Sequence, residues 1–166
     1  MKLTTNFRTD IDNKITGGLD WHGLSDDVQA NLMMVVENAQ AIRDYLGKPV
    51  IVSSGLRSQA KNASLDGASK TSQHLYGEAL DLVLGDNLDR VFRGLMLGLI
   101  HTPHPFSQVI HETNGNGAQW LHIAVVTDRW LAVNKGKPHR LTQTEFLETK
   151  DGKSYKLVSL KPFSVL

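Results

Sequence analysis

Ala79-Leu-Asp-Leu-Val-Leu84 is a short apolar run broken once, by Asp81. A continuous apolar run of this length, entered from the Gly77 turn, reads as a strand covered on both faces. A carboxylate inside such a strand is costly unless a cation, hydrogen bonds or a metal ion satisfies it. Arg57 or a neighbouring base is one way to do so. Seven residues before Asp81 stands His74, and the Gly77 turn between them lets a strand-end imidazole and an in-strand carboxylate converge on one point.

A second anomaly lies in Trp120-Leu-His-Ile-Ala-Val-Val126, where an imidazole interrupts another apolar strand. Alternation puts Trp120, His122 and Ala124 on one face and Leu121, Ile123 and Val125 on the other. An inward histidine is commonly a hydrogen-bonded core residue. With His74 and Asp81, however, His122 completes two imidazoles and one carboxylate, the three-ligand set of catalytic zinc with a fourth position left for water.

Around these strands the periodicities are clear. Ser25 is an N-cap followed by Asp26 and Asp27, and Val28, Leu32, Val35, Ala39, Ile42 and Leu46 recur in steps of four and three, a helix that Gly47 and Pro49 end. Val50 to Ser54 reads as a strand, Gln59 to Thr71 as a polar loop, and Leu88 to Leu99 as a second helix. Ser107 to Glu112 and Trp120 to Val126 are strands joined by the turn-rich Asn114-Gly-Asn-Gly117. Asp151-Gly152 marks a hairpin between Thr144–Lys150 and Lys153–Leu160. The expected architecture is α+β, a small antiparallel sheet with two main helices packed on it and a zinc site on the sheet. The expected organisation is one domain over 1–166, with its core at about 25–126 and a C-terminal hairpin extension at about 140–166.

Composition narrows the function. The chain has 166 residues, 18.4 kDa and a net charge of +1, so no strong electrostatic case exists for nucleic acid or an anionic membrane as the main partner. It contains no cysteine, which excludes disulfides, thiolate metal sites and cysteine nucleophiles. The first eight residues lack the apolar core of a secretory signal, and Phe92–Ile100 is too short to span a bilayer. The expectation is a chain made in the cytoplasm without a signal peptide, with no membrane insertion, and monomeric.

Ser72-Gln-His-Leu-Tyr-Gly-Glu-Ala-Leu-Asp81 resembles the S-x-H-x-x-G-x-A-x-D signature of the zinc D-Ala-D-Ala peptidase family. That family spans DD-carboxypeptidases, vancomycin-resistance dipeptidases and phage L-alanyl-D-glutamate endolysins, and is related to the hedgehog signalling domain. Trp120-Leu-His122 resembles its second histidine strand, and Ser54-Gly-Leu-Arg-Ser58 its S-G-x-R-S turn. The resemblance implies one zinc held by His74, Asp81 and His122, and Arg57 placed near the scissile carbonyl. It further implies hydrolysis of an amide in peptidoglycan stem peptides or crosslinks. With no signal segment read, the expected type is a phage lysin acting at the wall after release, or a virion-associated enzyme. The alternatives are a non-catalytic zinc-binding module and a virion structural component.

The family's dipeptidase and endolysin branches carry a carboxylate three residues before the second zinc histidine, where this chain has Gln119. An amide has no oxygen of useful basicity. The expected base is Glu112, which alternation puts on one face with Gln108 and Ile110, and Phe106–Glu112 resembles the hedgehog-branch strand. Glu78 is a weaker alternative. Ser72, Gln108 and Trp120 are expected to bind substrate. His101 and His104 are read as loop residues because Pro103 and Pro105 forbid a helix, His22 and His139 as solvated, and His111 as facing away from Glu112.

Overall fold

Ser25 starts α1 (Asp26–Leu46): its side chain accepts from the Val28 amide, Asp26 and Asp27 occupy the first turn, and Gly47 closes the helix at φ +62°. The computed structural model describes residues 1–9, 13–65 and 68–163. Among the described residues the other α-helices are α2 (Gln59–Ala63), α3 (Leu88–Met96) and α4 (Asp128–Val133). Among the described residues no helix is long and apolar enough to cross a membrane.

Among the described residues six strands form one sheet: β1 (Ile51–Ser54), β2 (Ala79–Val83), β3 (Phe106–Thr113), β4 (Gln119–Val125), β5 (Gln143–Thr149) and β6 (Tyr155–Pro162), in the order β1-β2-β4-β3-β5-β6. The expected purely antiparallel sheet is corrected in one place, since β3 and β5 pair parallel. The reason is geometric. β4 reverses the direction of β3, and the chain reverses again through α4 before β5 docks on the free edge of β3. The expected polar loop over 59–71 is also corrected, because α2 occupies its start, capped by Ser58 accepting from the Lys61 amide. Asp66 and Gly67 of that stretch lie outside the described residues.

The two faces of the sheet differ. Val52, Leu80, Leu82, Leu121, Ile123, Val109 and Phe146 bury one face in the core with α1 and α3. His111 lies on that side, edge-on to Phe92 with ring centroids 5.9 Å apart. The opposite face carries Asp81, His122, Trp120, Ile110 and Glu112, as the register Asp81↔His122↔Ile110 and Glu112↔Trp120 requires. One burial term therefore orients both sets of side chains, because covering the apolar alternate residues forces the polar ones onto the other face.

Candidate metal centre

Three segments meet over β2. Gly77, at φ +70°, turns the chain from a 3-10 turn (Gln73–Tyr76) into β2, and a Cβ there would come within 3.0 Å of the Val28 carbonyl and Leu32. That turn carries His74. The segment after β1 passes so close to Ile15 that a Cβ on Gly55 would meet its carbonyl oxygen at 2.3 Å. The Gly55 carbonyl is thereby set against His74, 2.7 Å from Nδ1. A carbonyl only accepts, so His74 Nδ1 donates and its Nε2 lone pair faces the other way.

That lone pair faces Asp81 Oδ1 at 3.2 Å and His122 Nδ1 at 3.3 Å, and Asp81 Oδ1 and His122 Nδ1 are 2.9 Å apart. His74 is 2% exposed, Asp81 5% and His122 8%. Metal–ligand bonds of about 2.0–2.1 Å in a tetrahedron place ligand atoms roughly 3.3–3.4 Å apart. The observed edges are those of such a tetrahedron with little further movement. Three lone-pair atoms cannot crowd together in a buried site without a cation or a shared proton among them. Two imidazoles and one carboxylate suit zinc, and the three groups can hold one metal ion.

Asp81, read from sequence as a partner of either a metal or Arg57, divides its two oxygens between Arg57 and the two imidazoles. Arg57 Nη2 donates to Asp81 Oδ2 at 2.5 Å, while Oδ1 is the oxygen among the imidazoles. Arg57 is itself fixed by Nε donating to Ser54 Oγ at 2.9 Å and by its amide donating to the His74 carbonyl at 2.9 Å. Burial alone would push the Asp81 carboxyl up; His74 and His122 beside it hold it well below the usual carboxylate range.

Glu112 and Trp120 are a cross-strand pair on the same face, two pairs along from Ile110↔His122. Such a diagonal separation is about 7–8 Å between Cα atoms, within reach of a glutamate side chain. Burial pushes the Glu112 carboxyl up, Asp81 adds to this, and His122 and Arg57 oppose it. Gln119 is exposed at the strand end and donates to Thr113 Oγ1.

The remaining sequence expectations fall elsewhere. Glu78 is fully buried and engaged by Arg129, by Thr127 Oγ1 at 2.5 Å and by Gln73 Nε2 at 3.3 Å. It is a packing anchor with no oxygen turned to the centre. Gln108 donates to Glu145 Oε2 at 2.8 Å, and Glu145 is also bound by His139 and Arg140. Ser72 is half-buried at the start of the His74 turn. His104 binds Glu37, and its backbone binds Asn38, so it ties its loop to α1. His22 and His101 are exposed, whereas His139, read as solvated, is 47% exposed and still pairs with Glu145. The supporting roles of Ser54 and the Gly55 carbonyl were not read from sequence; their only signal was their position in the Ser54–Ser58 turn.

Residues 3–96 match the protein family described as Peptidase M15. The zinc D-Ala-D-Ala carboxypeptidase of Streptomyces albus G is 39% identical over 70 residues, which cover 40% of this chain. The match spans 27% of that protein's length. Arg57, His74 and Asp81 lie inside the family match, and the tertiary structure brings His122 and Glu112 to them from outside it.

Proposed function

The chain belongs to the peptidase M15 family, and from that premise we propose that it is a zinc peptidase that hydrolyses an amide bond in peptidoglycan stem peptides or crosslinks. One observation carries this reading: His74 Nε2, Asp81 Oδ1 and His122 Nδ1 converge at 2.9–3.3 Å, with Glu112 on the same sheet face. Support for the substrate class comes from the carboxypeptidase relative and from the resemblance of Ser72–Asp81 to the S-x-H-x-x-G-x-A-x-D signature. Zinc held there supplies a Lewis acid and lowers the pKa of water toward about 7.

The chain's own residues account for the rest. Gly55 fixes the His74 ring through Nδ1, and Arg57 fixes Asp81 through Oδ2, so both ligands are oriented before anything binds. Glu112 takes a proton from the attacking water and delivers it to the leaving amine nitrogen. Arg57 has Nε and Nη2 committed, and its Nη1 is the guanidinium edge available to a substrate oxygen. Within that activity the chain acts as a phage-type lysin.

The test is digestion of purified sacculi by the zinc-loaded protein, with mass spectrometry of the products. Cleavage within the stem supports the endolysin branch, and release of terminal D-alanine supports a carboxypeptidase. No product, with zinc bound, overturns the peptidase reading in favour of a binding module.

A further inference from the structure

The C-terminal hairpin of β5 and β6 supplies no metal ligand, yet strand register carries its side chains onto the metal-bearing face. Residues paired across a sheet share a face. One row runs Asp81, His122, Ile110, Leu147, Leu157 from β2 to β6. The next runs Trp120, Glu112, Thr149, Tyr155. The pairing passes from Phe146↔Ser159 to Leu147↔Leu157, and this one-residue bulge at Val158 puts Leu157 and Tyr155, rather than Lys156, in those rows.

The rows form a strip that starts at the metal ligands and opens outward. Ile110 is 6% exposed, Leu147 half-buried, Leu157 50% exposed and Tyr155 48% exposed. In the neighbouring row Gln108 donates to Glu145, which His139 and Arg140 cap, and Leu160 at its end is less exposed than Leu157 or Tyr155. Large apolar side chains left open on an edge strand are an aggregation hazard that a chain retains where they have a use. Burial pushes the Tyr155 hydroxyl pKa up, and the carboxylates of Glu112, Asp81 and Asp151 add to this.

We propose that Leu147, Leu157 and Tyr155 form a substrate subsite on the metal-bearing face outboard of the centre, seating the small apolar side chain of a peptide residue about three positions from the scissile amide while the Tyr155 hydroxyl hydrogen-bonds the peptide backbone. The proposal rests on the peptidase reading above. Its occupant is the stem peptide because the strip is continuous with the centre. From β3 to β6 it spans two strand spacings, roughly 10 Å, or about three residues of extended peptide. Its apolar floor suits alanine methyl groups, and the Tyr155 hydroxyl suits a peptide carbonyl, the Thr149 hydroxyl being engaged with Asp151.

The test uses the zinc-loaded full chain with muramidase-released muropeptides. Tyr155→Phe should raise KM about three- to tenfold and Leu157→Ala by a similar factor, with kcat within about twofold, as expected when binding is lost equally from ground and transition states. Lys156→Ala, on the opposite face of β6, should change neither constant. Unchanged KM in both subsite variants, while the wild type turns over, overturns the subsite and leaves the peptidase reading standing. A second measurement needs no turnover. Muropeptides added to the Glu112→Gln protein should shift the Tyr155 ring resonance, identified by its loss in a Glu112→Gln, Tyr155→Phe double variant. A shift without wild-type turnover sinks the peptidase reading and keeps the subsite; no shift overturns the subsite. A dimer in sedimentation that Leu157→Ala dissolves, with KM unmoved, assigns the strip to a second copy and overturns the proposal.

Discussion

Asp81 divides its two oxygens between a fixed guanidinium and the point where two imidazoles meet, and Glu112 stands on the same face with its carboxyl raised by burial. For a base the direction matters. A raised pKa leaves the proton-accepting form to be populated as pH climbs through that value, so kcat/KM should rise with pH on its acid limb. Glu112→Gln should keep zinc and fold, lose roughly two or more orders of magnitude in turnover, and remove that limb; near wild-type rates would reassign the base. Gln119→Ala, at an exposed strand end, should cost far less. Arg57→Lys replaces a fork that spans Asp81 and Ser54 with one point charge. Zinc affinity by competition with a chelator should fall about 10- to 100-fold, the usual cost of losing a group that orients a ligand.

Two elements depend on single side chains. The β5–β6 turn is held by Asp151, whose carboxylate accepts from the Lys153 and Ser154 amides and from Thr149 Oγ1, and these bonds hold its pKa below the usual carboxylate range. A depressed folded-state pKa contributes stability that is present above the ordinary aspartate value of about 3.9 and lost as pH falls through the lower folded value. Asp151→Ala should therefore lower the melting temperature at pH 6, with the difference from wild type shrinking in strongly acidic buffer. At the other end of the sheet, Arg129 pairs with Glu78, which is fully buried, and lies over the Tyr76 ring at 3.8 Å. Arg129→Ala strands that carboxylate. The expected loss is about 3 kcal/mol, a fall of roughly 6–12 °C in melting temperature, and Glu78→Gln combined with it should recover part of the loss.

Across the whole molecule the metal centre joins parts distant in sequence: the turn after β1, the His74 turn, β2 and β4. A ligand that binds only the folded arrangement stabilises it in proportion to the logarithm of its concentration over its dissociation constant. Chelation should lower the melting temperature of the wild type and leave that of a His74→Ala, His122→Ala variant unmoved. Equal shifts in both proteins would place the stabilising metal elsewhere.

Local patterns determined much of this. The α1 cap and its four-three apolar spacing, the buried run around Asp81 and the Asp151-Gly152 turn depend on residues within a few positions of one another, so they could be read in order along the chain. Asp81 and His122 were legible because polar groups in apolar strands stand out wherever the chain goes, and His74 because it stands seven residues before Asp81 across the Gly77 turn. Other features were decided only by tertiary structure. The parallel β3–β5 pairing follows from which edge of β3 was still open. The bond from Arg129 to Glu78 joins residues 51 positions apart. Asp81's division between Arg57 and the imidazoles, and the arrival of Tyr155 on the metal-bearing face through a one-residue bulge, are matters of register and angle. Periodicity states which residues must be buried; which neighbours they meet there is set by how the strands pair, and that pairing is decided by the packing of the whole chain.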